Sequence, residues 1–97
     1  MDGIYETSIN TPMGNMNAKI MLKTNGDNLE GVVDVMGMKN NITGGKVNGN
    51  KCYFKGNVKN NVLSIQYEIA GELNGNILNI CARTNMGEFK LQAKKVG

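Results

Sequence analysis

The chain carries several side chains from which reactive sites are built, but not the partners that would activate them. It contains no histidine, which removes the commonest general base and the commonest metal ligand. Its only serines are Ser8 and Ser64, with no base spaced to activate either. The thiols of Cys52 and Cys81 do not have the spacing of a metal-ligand pair. The carboxylates Glu6, Asp34, Glu68 and Glu72 are scattered among lysines, as on a solvated surface. Gly44-Gly45 does not sit between a strand and a helix, so it lacks the setting of a phosphate-cradling loop. These residues predict no enzyme, no metal and no cofactor.

Two other groups could bind without catalysing. The hydroxyls of Tyr5, Thr7, Tyr67 and Thr84 fall among apolar residues such as Phe54, and a few polar groups in an apolar setting are the usual make-up of a small-molecule site. Methionines gather near glycine turns, at Met13, Met16, Met36, Met38 and Met86. Methionine is flexible and polarizable, suited to adaptable hydrophobic contact.

The elements that position these residues are read from the turns. Seven signals recur along the chain: Pro12-Met13-Gly14, Asn25-Gly26-Asp27-Asn28, Met36-Gly37-Met38, Asn48-Gly49-Asn50, Asn60-Asn61, Asn74-Gly75-Asn76 and Asn85-Met86-Gly87. This is the rhythm of short strands joined by tight hairpins, and Gly and Asn accept the positive φ such turns need. A Met-Gly type of turn alternates with an Asn-Gly type, and no helical stripe of apolar residues competes. The expectation is an all-β fold over residues 1–97: one domain, an eight-stranded antiparallel up-and-down meander closed into a small barrel, with a two-sheet sandwich as the alternative.

Taking each turn literally gives a register. Tyr5 pairs with Ile20, Ile20 with Val33, Tyr67 with Thr84 and Ile69 with Ala82. A two-residue loop at Asn60-Asn61 sets Val58 by Leu63, Phe54 by Tyr67 and Cys52 by Ile69, and a turn at Met86-Gly87 sets Ala82 by Leu91 and Arg83 by Lys90. On the outer face Lys23 meets Glu30, and Lys19 lies between Glu6 and Asp34. Ile42 and Val47 differ in parity, so burying both requires a bulge at Gly44-Gly45. Glycines at 31, 44 or 45, 56 and 71 then line the inside, where they ease the coiling of a small barrel. Cys52 points inward and Cys81 outward, so no disulfide is expected.

With Tyr5-Glu6-Thr7, Thr11-Pro12-Met13-Gly14, Leu29-Glu30-Gly31 and Gly44-Gly45-Lys46-Val47-Asn48-Gly49-Asn50, the chain resembles a group of short bacterial β-barrel domains that repeat a Thr-Pro-Met-Gly turn. In architecture that group is similar to lipocalin-like and avidin-like barrels. The resemblance implies a barrel whose mouth is a binding site. The early Trp of lipocalins and the polar ligand set of avidins are absent, so neither ligand carries over.

In such a meander the Met-Gly turns share one end. The functional expectation is a non-catalytic binding module for a small hydrophobic ligand at that end. Tyr5, Phe54, Tyr67 and Thr84 are its candidate ligand-binding residues, and Met13, Met16, Met36, Met38 and Met86 form an interaction rim. The plainer reading is that the methionines plug the barrel and the hydroxyls bond their neighbours. The alternative function is a protein-interaction, oligomerisation or accessory domain, with a protein partner or a homodimer. A net charge of +3 spread over eleven basic residues predicts no nucleic-acid partner. The short apolar runs predict no membrane span, and the start of the chain has no secretory pattern, which points to the cytoplasm.

Overall fold

The computed structural model describes residues 1–11, 14–35, 37–59 and 64–97, except for the side chains of residues 9–11. It contains β1 (Gly3–Thr11), β2 (Gly14–Asn25), β3 (Asn28–Val35), β4 (Met38–Asn41), β5 (Thr43–Asn48), β6 (Lys51–Lys59), β7 (Ser64–Asn74), β8 (Ile77–Thr84) and β9 (Gly87–Lys95). β4 and β5 are the two halves of one bent strand, interrupted only at Ile42. The chain therefore forms eight antiparallel up-and-down strands that close into a barrel. Closure is made where β1 meets β9, at Tyr5–Lys95 and Glu6–Lys94. The amide of Val96 reinforces it by donating to the Ile4 carbonyl at 2.8 Å.

Alternation builds the barrel wall. On β2 the buried residues Ala18, Ile20 and Leu22 alternate with outward residues including Lys19 and Lys23. β6 repeats this with Cys52, Phe54 and Val58 inside. The core joins all strands, and Tyr5, Phe54 and Leu78 are fully buried at its centre. Burying side chains of that size contributes about 1.5–3 kcal/mol each.

The bulge on the fourth strand is present. Register shifts between Thr43 and Lys46, and Gly44 takes the left-handed conformation, φ +60°. Ile42 and Gly45 are buried as a result, and Val47 is half-buried. At Gly45 a Cβ would lie 2.1 Å from the Leu29 carbonyl oxygen, so only glycine lets the strands approach this closely.

The first two hairpins and the β7–β8 hairpin have the expected register. Two others differ by two residues. The described β6–β7 ladder reaches Lys59–Ser64, which pairs Phe54 with Ile69, Gly56 with Tyr67 and Val58 with Ile65. The expected partner of Val58, Leu63, and the turn residues Asn60-Asn61 lie outside those described. The β8–β9 turn closes at Thr84–Gly87, which sets Ala82 by Phe89 and Arg83 by Glu88. A shift of two preserves which face each residue occupies, so hydrophobic pattern alone did not detect it. The change also replaces the expected Arg83–Lys90 repulsion with an Arg83–Glu88 ion pair at 2.9 Å.

Candidate functional site

The structure gives each of the four inner hydroxyls a partner within the chain. Tyr5 donates to the Met1 carbonyl at 2.8 Å, and Thr7 to the Gln92 carbonyl at 2.8 Å. Tyr67 donates to Oδ1 of Asn40, whose amide nitrogen in turn donates to the Val33 carbonyl at 3.1 Å. Thr84 donates to the Gly87 carbonyl and accepts from the Met86 amide, both at 2.9 Å, and so shapes the β8–β9 turn. Burial pushes the Tyr67 phenol up to about 12. Burial also raises Tyr5, helped by the nearby Cys52 and Asp2.

The four candidate ligand-binding residues do not converge on one cavity. Tyr5 joins the N-terminal Met1 at the end that carries the Asn-Gly turns, where Met1 packs against the core. Tyr67 and Thr84 are directly paired at the other end, and Phe54 is fully buried in between. The inner glycines leave no space either. A Cβ at Gly56 would sit 2.3 Å from the Tyr67 hydroxyl oxygen, and one at Gly71 would sit 2.9 Å from the Cys52 sulfur.

The methionine-bearing end carries apolar side chains at the margin of the core. Val35, Met38, Ile65 and Phe89 are half-buried and pack on the core from this side. Met16 is also half-buried, and Met86 is 58% exposed. Met13 and Met36 lie outside the described residues. The chain has no charged residue between Glu6 and Lys19, Asp34 and Lys39, Lys59 and Glu68, or Arg83 and Glu88, so the four connections at this end are free of charge. The Asp34 carboxylate accepts from the Gly37 amide at 2.9 Å and fixes the turn between β3 and β4.

The groups that could react are dispersed. Ser8, Ser64, Glu6, Glu68 and Glu72 are exposed on the outer wall. Cys52 is buried and Cys81 half-buried, and both are free thiols. Burial raises the pKa of Cys52, which suppresses its thiolate. Among the described residues no group of three or more His, Cys, Asp and Glu side chains could hold a metal ion.

Sequence reasoning did not assign five residues to the site. Asn40, the acceptor for Tyr67, shares inward parity with Met38 and Ile42, which was legible. Val35, Ile65 and Phe89 extend the apolar end beyond the methionines. Tyr53 is 41% exposed on the outer face of β6, between Lys51 and Lys55.

The fold defines the class: a small closed up-and-down β-barrel. No family model, curated protein or solved structure matches the chain.

Proposed function

We propose that this chain is a non-catalytic, lipocalin-like binding module of the cytoplasm that takes a small hydrophobic ligand at the methionine-bearing end of the barrel. One observation supports the reading above the rest. Met86, 58% exposed, lies in one of four uncharged connections at the end where Met38, Val35, Ile65 and Phe89 are half-buried on the core. Apolar surface gathered at one place is characteristic of a binding site, and methionine adapts to varied ligand shapes. The fully buried Tyr5, Phe54 and Leu78 at the centre direct the ligand to the rim instead of the lumen, so Tyr67 and Thr84 lie beneath it as a floor. The two free thiols suit a reducing compartment.

The test is a methyl-resolved NMR titration of the methionines with decanoate. Saturable shifts at Met86, Met38 and Met16, lost in Met86→Glu with the fold intact, support the reading. Methyl signals unmoved at millimolar decanoate refute it.

A second reading, a homodimer through the same end, is favoured by the charges bordering it. Asp34 on β3 and Glu88 on β9 border the end, with Lys39, Lys59 and Arg83 on strands between them, charges of both signs that an isologous contact can pair. Sedimentation velocity separates the readings: a wild-type dimer that Met86→Glu converts to a monomer supports the second.

A further inference from the structure

The barrel wall has a seam. Between the fourth strand and β6 the ladder runs from Asn48–Lys51 through Lys46–Tyr53 to Thr43–Lys55, and stops there. Among the described residues β4 pairs with β3 and forms no ladder with β6. Carrying the Thr43–Lys55 register onward would set Asn41 opposite Asn57 and Lys39 opposite Lys59. Neither rung forms. Like charges directly opposite one another destabilise a strand pair, and the Lys39–Lys59 rung would be such a pair.

The register shows which backbone groups this leaves open. The Ile42 amide donates to the Gly31 carbonyl at 3.1 Å, which in the β3–β4 register makes Gly31–Ile42 and Val33–Asn40 the hydrogen-bonded pairs. Alternation along the strand then turns the N–H and C=O groups of Lys39 and Asn41 away from β3. On β6 the Leu73 amide donates to the Asn50 carbonyl at 2.8 Å, which by the same alternation turns Gly56 and Val58 to β7 and turns Asn57 and Lys59 to the seam. Behind the seam, Tyr67 and Asn40 are joined by their hydrogen bond over Gly56. A surface depression lined at the seam by Asn41, Thr43, Lys55 and Asn57 extends across β7 and β8, where Glu68 and Arg83 also line it.

The charge here is predominantly positive, with Glu68 the acid on the same depression. The stretch 35–67 holds five lysines and no Asp or Glu. Lys39, Lys55 and Lys59 border the seam, and among the described residues none of these three forms an ion pair. Their cross-strand acids are Asp34 opposite Lys39 and Glu68 opposite Lys55, which leaves Lys59 opposite Ser64 without one.

We propose that this seam receives an extended acidic peptide segment from a partner protein. Its backbone pairs with the N–H and C=O groups that Lys39, Asn41, Asn57 and Lys59 turn outward, as in strand addition at an open sheet edge. Its carboxylates meet the ammonium groups of Lys39, Lys55 and Lys59. Entry requires the β3–β4 hairpin to swing until β4 and β6 stand about 10 Å apart, two strand spacings; among the described residues no β4–β6 ladder breaks for that, and the Asn40–Tyr67 hydrogen bond across the seam is what is given up.

The test is an amide-resolved NMR titration with a blocked peptide of about seven residues, the usual strand length, alternating Val and Glu. Three comparisons accompany it: the same peptide with Lys for Glu, the acidic peptide N-methylated at alternate amides, and a short oligothymidylate. The proposal expects saturable shifts at the amides of Lys39, Asn41, Asn57 and Lys59 with the acidic peptide, none with the lysine peptide, and loss of binding on N-methylation. The double variant Lys39→Glu, Lys59→Glu weakens binding about tenfold or more, the scale for losing close charge pairs. Met86→Glu leaves it unchanged, which separates this surface from the methionine end. The proposal is overturned if those amides stay unmoved at millimolar acidic peptide. Equal binding of the N-methylated peptide, or tighter binding of the oligonucleotide, overturns it too, since either marks a polyanion surface without strand pairing.

Discussion

Gly56→Ala tests how fully the barrel interior is occupied. A Cβ at position 56 would stand 2.3 Å from the Tyr67 hydroxyl oxygen, 2.5 Å from the ring carbon that bears it and 3.1 Å from Oδ1 of Asn40. Ordinary contact lies near 3.5 Å, so the phenol must withdraw by about 1 Å. Its hydrogen bond to Asn40 opposes that movement, and Asn40 is itself tied to the Val33 carbonyl. Overpacking costs about 1–3 kcal/mol and the strained hydrogen bond about 1 kcal/mol, while replacing glycine returns about 0.4–1 kcal/mol through the unfolded chain. The net loss is about 1–3 kcal/mol, or a melting temperature lower by roughly 5–20 °C for a domain of this size. Urea unfolding followed by circular dichroism measures it, with a lower midpoint at unchanged slope. Paired with Tyr67→Leu, the alanine should cost far less, since the obstructing ring is gone. A Gly56→Ala protein within about 0.5 kcal/mol of wild type, or an equal loss in the Tyr67→Leu background, refutes the reasoning.

Other consequences follow from the same packing. A thiol reagent should label Cys81 in the native protein and both cysteines only in denaturant, because Cys52 is buried with its pKa raised by burial; early labelling of Cys52 would contradict this. Tyr67 holds its proton up to about 12 against an ordinary 10.0. The folded state thus binds that proton more tightly than the unfolded chain, and the associated stability is complete below about pH 10 and lost as pH rises toward 12. Thermal unfolding across that range should show the loss in wild type and less of it in Tyr67→Phe. Leu78→Ala removes a fully buried side chain and should cost about 2–5 kcal/mol in urea unfolding. Arg83→Ala, at an ion pair whose side chains are 71% and 65% exposed, should leave the urea midpoint nearly unchanged in the same assay.

The parts of the fold legible in the sequence were those with a physical penalty for error. A one-residue slip would turn a strand inside out, so Ile20, Phe54 and Ile80 declared their faces through alternation. The parity conflict between Ile42 and Val47 disclosed the bulge, since no regular strand buries both. Where an error leaves the faces intact, the pattern is silent. The β6–β7 and β8–β9 registers are both displaced by an even step, and only the repulsion implied by Arg83 beside Lys90 hinted at it. The site was less legible. Tyr67 and Thr84 are paired as expected, but that Tyr67 spends its hydroxyl on Asn40 depends on packing across the barrel, which spacing along the chain does not encode. The seam, by contrast, had a sequence signature in the acid-free stretch 35–67, which shows its meaning only once the ladder is known to stop at Lys55.

Everything argued for the two binding surfaces assumes a wall continuous from β9 to β1. Cross-strand proton NOEs measure that join directly. The account predicts contacts linking Tyr5 to Lys95 and Glu6 to Lys94, together with a slowly exchanging Val96 amide held by the Ile4 carbonyl. Absence of those contacts, with the β1 and β9 amides exchanging as freely as open edges, would contradict it.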